Sequence, residues 1–254
     1  MTKIPSFSIK LLENSYKKKL KEEGLWKPDC PVPLERLRDV HITHYDFEGD
    51  IQKGSMIVLD AVAPFVMTIF KELFETGFPL NKVVSIDHYG GSDDASMEEN
   101  NSSSFNYRPI AGKNILSIHS YGLAIDINPV QNPYMGNSFI NKEKQCGAIE
   151  VWPIKGLMYL NRRNQRPGMV EPIIDIFHKY GFRDWGGNWD EMLDYHHFQT
   201  PRFLAELLVV MTPDDADDFF EWYVENPQVA LDPETIVERY KRDPVGFMKQ
   251  HPRS

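Results

Sequence analysis

Apolar and polar positions alternate or recur along most of this chain with periods that predict a mixture of helices and strands. From Ser8 to about Glu23 the apolar positions recur at helical spacing, and an irregular, proline-rich stretch follows as far as Pro33. The run VHITHYDF, residues 40–47, reads as a strand, and Val62, Val66, Ile69 and Leu73 form one stripe of a helix over about residues 61–75. KVVSIDHY, residues 82–89, reads as a further strand, and SDDASMEENNSSS, residues 92–104, as a polar loop. Leu123, Ile125 and Ile127 alternate as the buried face of a short strand, which turns Ala124 and Asp126 the other way. Residues 169–180 give another helix, with Ile173, Ile176, Phe177 and Tyr180 inward. Because helices and strands do not alternate strictly, the expected class is α+β, a mostly antiparallel sheet flanked by helices.

Beyond Thr200 the texture changes. Thr212-Pro213-Asp214-Asp215 has an N-cap, a proline at the first helical position and acids in the first turn, and Asp232-Pro233-Glu234 repeats the device. Two or three helices are expected there. The organisation that follows is a wrapping segment over residues 1–39, a main domain over 40–200 and a helical C-terminal extension over 201–254.

Composition narrows the function. At 254 residues the chain can bury a large core without disulfide or metal staples. A net charge of -9 argues against a general nucleic-acid binder, since a grip on phosphates needs the opposite sign. No apolar run is long enough for a membrane span, and the first residues lack the apolar core of a signal peptide. A soluble chain is expected, either without an export signal or as a mature form. Cys30 and Cys146 lack zinc-finger spacing and are read as one disulfide or two free thiols.

The candidate chemistry lies in two stretches. In SIHSYGLAID, His119 and Asp126 stand seven residues apart. One uninterrupted strand would put them on opposite faces, so the chain must bend, and Gly122 is the expected bend. The pair then reads as a metal site, a His-Asp hydrogen bond, or an aspartate capping a turn beside an ordinary histidine. Downstream, GFRDWGGNW is followed by DYHHF, in which Asp194 and His197 are three apart. In a helical turn that spacing puts both on one side, one for a metal and one for the reacting water; the alternative is a strand entrance with a buried aromatic. His196 competes with His197, but adjacent residues of an extended chain face opposite ways. His41 and His44 read as ordinary strand residues, His88 as structural or as lining the site from a loop, and Trp185 and Trp189 as fixing the turn and walling the cleft or as simple core packing.

Together, SxHxxGxAxD and WGGxWxxxxDxxHF resemble the LAS zinc peptidases, the group containing lysostaphin, the D-alanyl-D-alanine carboxypeptidases and the hedgehog domain. The resemblance, over about residues 40–200, implies that His119, Asp126 and His197 bind zinc and that Asp194 is the base. Arg108, in FNYRP, stands where the peptidases carry an arginine that helps hold the scissile carbonyl, the alternative being a surface or structural salt bridge, and Asp194 stands where several carboxypeptidases carry Glu. Two imidazoles and a carboxylate leave a fourth zinc position open, as catalytic sites require. The resemblance further implies a hedgehog-type zinc site, peptidoglycan stem peptides as substrates and a cell-envelope or periplasmic location, with the cytoplasm left open. The bond would be D-Ala-D-Ala, or L-Ala-D-Glu in an endopeptidase. A zinc-holding binding module without catalysis is the rival, against which the presence of Asp194 and Arg108 counts.

Overall fold

The computed structural model describes residues 5–137, 149–190 and 192–253. Cys146 lies outside them, so its pairing is not addressed, whereas Cys30 is a buried free thiol.

The chain opens with strand β1 (Ser8–Leu11) and helix α1 (Asn14–Glu22), followed by β2 (Leu37–Tyr45) and β3 (Ile51–Leu59). These strands form an antiparallel sheet in the order β1-β2-β3. The helix expected from Ser8 therefore starts later. Ser8 and Leu11 instead pair with His41 and Arg38, and Glu13 is still extended where it enters α1. Residues 8–11 are drawn into the sheet by their pairing with β2, a long-range contact that local spacing does not register. Helix α2 (Ala63–Glu75) follows a single tight turn over Asp60–Val62 and lays Val66, Ile69, Phe70 and Leu73 into the core, as the stripe predicts.

The next segment departs from expectation twice. Strand β4 (Lys82–Val83) is only two residues long, because Ile86–Tyr89 turn into a 3-10 helix that buries Asp87. There Asp87 accepts from Tyr16 Oη at 2.6 Å and from Lys19 Nζ at 2.6 Å, tying the turn to α1. The stretch read as a polar loop contains helix α3 (Asp93–Glu98), capped by Ser92, and strand β5 (Asn101–Ser102), which runs parallel to β4. Its polar side chains serve the fold: Asn101 accepts from the Val84 N–H and donates to the Val84 carbonyl.

Strands β6 (Ala124–Asp126), β7 (Tyr134–Asn137) and β8 (Ile149–Trp152) precede helix α4 (Ile174–Lys179), which is shorter than its predicted span because Glu171–Ile173, with Pro172, form a 3-10 turn. Then come β9 (Asp184–Trp185), β10 (Leu193–Asp194) and β11 (His197–Gln199). They build two further antiparallel sheets, β6-β11-β9 and β10-β7-β8. The structure is thus α+β and mostly antiparallel, in several small sheets rather than one.

Four helices close the chain where two or three are predicted: α5 (Arg202–Val210), α6 (Pro213–Glu225), α7 (Ile236–Arg242) and α8 (Pro244–Gln250). Thr212 caps α6, and Asp243-Pro244 uses the same device at α8, where Asp243 accepts from the Gly246 N–H. These helices share the main core. Phe219 and Phe220 are fully buried, and Phe220 meets Phe65 of α2 edge-on at 5.0 Å. Among the described residues, no helix is long and apolar enough to cross a membrane.

Candidate metal centre

His119 sits in a 3-10 turn, Ile118–Tyr121, whose first N–H groups include one satisfied by the Ser117 hydroxyl. Gly122 ends the turn at φ +66°, a left-handed conformation, and a Cβ there would lie 2.7 Å from the Leu59 nitrogen. Only glycine suits both demands. The bend expected at this position thus carries the chain from His119 into β6, whose last residue is Asp126. Across the sheet, His197 opens β11 directly opposite Asp126. Facing residues of antiparallel strands bring their side chains into reach, and the pair meets for that reason.

The helical turn invoked for Asp194 and His197 is absent. Asp194 ends β10, Tyr195 and His196 form a turn, and His197 begins β11, so the strand-entrance alternative describes the backbone. The tight turn at Gly186–Asn188 packs against this point. A Cβ on Gly186 would stand 2.5 Å from the Asp194 carbonyl oxygen, which accounts for a glycine in the WGG segment.

The three residues His119, Asp126 and His197 are buried and converge. His119 Nε2 lies 3.2 Å from His197 Nδ1 and 3.1 Å from Asp126 Oδ2, and His197 Nδ1 lies 3.0 Å from Asp126 Oδ1. The outer ring nitrogens are engaged elsewhere. His119 Nδ1 faces the Ser104 carbonyl at 2.6 Å, and His197 Nε2 faces Gln199 Oε1 at 2.9 Å. Since each outer nitrogen meets an acceptor, it carries the proton, and the inner nitrogen of a neutral ring keeps its lone pair. Two such lone pairs and a carboxylate pointed at one another require protons or a cation between them. Burial raises a carboxyl's pKa, yet His119 and His196, with hydrogen bonds from His119 and His197, hold Asp126 well below its usual value. Burial opposes charge on His197 as well, but its bond to Asp126 raises it. The donor set could hold a metal ion that displaces those protons.

Asp194 lies beside the cluster. His196 Nε2 approaches Asp194 Oδ1 to 2.9 Å and Asp126 Oδ1 to 3.9 Å, while His196 Nδ1 faces the Asn132 carbonyl at 2.8 Å. The approach to Asp194 has ion-pair distance without hydrogen-bond alignment, so Oδ1 is buried with no bonded donor. Burial disfavours the His196 charge, but Asp194 and Asp126 together push its pKa up to about 10. Arg108 lies on the segment before His119, its N–H donating to Ser120 Oγ. Its guanidinium is part-exposed and bound to Asp93 at 2.6 Å, and its Nε is buried without a partner.

Other singled-out residues fall outside the cluster. His41 pairs with Asp39 at 3.0 Å, His44 is buried in β2 with a pKa lowered by burial, and His88 is exposed against the Ser85 carbonyl. Trp189 lies against the His197 ring, and Trp185 donates to the Tyr195 carbonyl. Ser104, Asn132, Asp184 and Gln199 were not read as site residues. Ser104 and Asn132 act through backbone carbonyls, for which a side-chain pattern has no signal; Gln199 had one, lying two positions beyond His197 on the same strand face.

Residues 111–200 match a family model described as D-alanyl-D-alanine carboxypeptidase. The matched segment contains both motifs and supports the resemblance to the LAS and VanY-like zinc peptidases. No curated protein and no solved structure matches the chain.

Proposed function

From the peptidase resemblance of the segment that carries the cluster, we propose that this chain is a zinc-dependent hydrolase of D-amino-acid-containing peptides from peptidoglycan, of the D-Ala-D-Ala carboxypeptidase type. The observation that carries the reading is the convergence of three metal-ready donors next to a buried carboxylate oxygen without a bonded donor. The donor set suits zinc. Tetrahedral ligands at about 2.0–2.1 Å from zinc stand roughly 3.3 Å from one another, close to the 3.0, 3.1 and 3.2 Å separations of the donor atoms here.

His119 Nε2, His197 Nδ1 and Asp126 would hold the ion. Bound there, zinc supplies a Lewis acid that polarises the scissile carbonyl and lowers the pKa of water. Asp194 Oδ1 takes the proton of the attacking water and passes it to the departing amine, a reading supported by its lack of an aligned hydrogen-bond donor, with His196 Nε2 held beside it at 2.9 Å. Arg108 supplies N–H donors to the developing oxyanion, its orientation set by Asp93. A chain acting on wall peptides belongs in the cell envelope or periplasm.

Mass spectrometry of purified muropeptides, incubated with the zinc-loaded protein, tests this reading. Loss of a terminal D-Ala is expected; cleavage between L-Ala and D-Glu would make it an endopeptidase. Binding of the peptides with no cleavage would replace the enzyme with a binding module. Asp194→Asn should keep zinc and lower turnover by about 10²- to 10⁴-fold, the usual contribution of a positioned acid-base group. Unchanged turnover in a zinc-loaded variant would remove Asp194 from the role.

A further inference from the structure

Behind His197, four side chains close a ring. His197 Nε2 meets Gln199 Oε1 at 2.9 Å, Gln199 Nε2 donates to Asp184 Oδ2 at 2.6 Å, and Trp189 Nε1 donates to Asp184 Oδ1 at 2.8 Å. The Trp189 indole then returns to His197, with ring centroids 5.4 Å apart. Sheet geometry builds this ring from short pieces. Gln199 is two residues beyond His197 and so on the same face of β11, and Asp184 of β9 is its cross-strand partner.

The direction of every bond is forced from the tryptophan end. An indole N–H only donates, so Asp184 Oδ1 accepts. An ionised carboxylate only accepts, so Gln199 must turn its amide nitrogen toward Asp184. Its amide oxygen is then left facing His197, and an acceptor in that place requires the proton on Nε2. A neutral imidazole protonated at Nε2 is bare at Nδ1, the atom that meets Asp126 and His119. We propose that Gln199, Asp184 and Trp189 are positioning residues that fix the His197 tautomer and reserve its Nδ1 for the metal. This rests on the zinc reading of the cluster. His119 reaches the complementary state through one bond to the Ser104 carbonyl, whereas His197 depends on a relay of side chains and is open to substitution.

The relay can be broken and rebuilt with its atoms exchanged. Q199E keeps an acceptor toward His197 but sets a second carboxylate against Asp184. D184N leaves one oxygen for two donors. In Q199E/D184N the amide and carboxylate have traded places, so the introduced carboxylate accepts from His197 and from the introduced amide, whose oxygen accepts from Trp189. Zinc affinity, measured by competition with a chromophoric chelator, should fall by about 10- to 100-fold in each single variant, the usual cost of losing a ligand's outer hydrogen bond. The double variant should recover to within about threefold of wild type, the coupling expected of groups in one network. Imidazole ¹⁵N chemical shifts of metal-free wild type, at a pH where the ring is neutral, should place the His197 proton on Nε2. A proton on Nδ1, a double variant no better than the worse single one, or wild-type affinity in all three would overturn the relay. Should a single variant fail to fold, the double variant and the wild-type shifts still decide. A wild type that binds no zinc would instead overturn the metal reading, while the shifts report on the relay alone.

Discussion

Among the places where this molecule buries charged and polar groups, two solve the same problem differently. At the first, Arg36 and Asp60 are each 7% exposed. Arg36 Nε and Nη2 donate to the two Asp60 oxygens at 2.9 and 2.8 Å, and Nη1 donates to the Leu208 and Met211 carbonyls, both at 2.9 Å. Donors and acceptors balance within the chain. At the second, His119, Asp126 and His197 direct their acceptor atoms at one another, with their ring donors turned outward to Ser104 and Gln199. Here the balance is left to something the polypeptide does not supply. The contrast separates a buried polar group whose donors and acceptors match within the chain from one whose central acceptor atoms need protons or a cation between them, the place the proposed function gives to zinc.

The contrast can be broken most decisively at the metal. His119→Ala or Asp126→Ala should abolish stoichiometric zinc, read by elemental analysis of the purified protein; full occupancy in either would show that the cluster is not the site. Arg36→Met, which leaves buried Asp60 only the Ala61 N–H and the more distant Arg38 at 3.8 Å, should cost up to about 3–5 kcal/mol in urea unfolding without altering zinc occupancy. A variant that lost zinc while remaining folded would join two sites held separate here.

The pH response sharpens the difference further. In the metal-free protein the His197 pKa is raised, and that of His196 is raised to about 10, so both lie above their unfolded values. The stability they contribute is complete below about pH 6.5, the unfolded histidine value, and is lost as pH rises through the folded values. Zinc binding moves the other way, because protons on the inner nitrogens compete with it. The gap between zinc-loaded and metal-free melting temperatures should therefore widen as pH rises from about 6 to 9. A constant gap would mean that zinc displaces no proton. The smallest effect is reserved for His88, an exposed histidine outside the cluster. His88→Ala should leave zinc content unchanged and stability within about 0.5 kcal/mol in the same assays, and any loss of metal would widen the ligand set.

How far the sequence was legible depends on the range of the contact. The stripe of α2, the bend at Gly122 and the cap at Thr212 are local, and each was read from a few neighbouring residues. The gathering of His119, Asp126 and His197 came from the paired motifs and their family resemblance, because the pairing of β6 with β11 spans some seventy residues that no period connects. Beyond Val83, residues 86–102 differ from the sequence reading for a related reason. A run such as SIDHY has strand-like alternation, but the Asp87 contacts with Tyr16 and Lys19, set from a distant helix, favour a turn. The helical reading of DYHHF failed because an i, i+3 spacing also fits two residues on either side of a sharp strand-to-strand turn. The relay through Gln199 and Asp184 depends on a register that is visible only once β9 and β11 are paired.

Asp194 and His197 are three residues apart, yet they are mounted on different supports. Asp194 belongs to the sheet β10-β7-β8, where it faces Tyr134, whereas His197 belongs to β6-β11-β9 and faces Asp126. The two-residue turn of Tyr195 and His196 joins them. Under the proposed function, affinity for the ion and speed of reaction would thereby fall under separate control. On that reading, changes along the paired strands β7 and β8 would shift the Asp194 carboxylate while His119, Asp126 and His197 stay as they are, so the proton-handling group could be retuned for a new peptide apart from the metal donors.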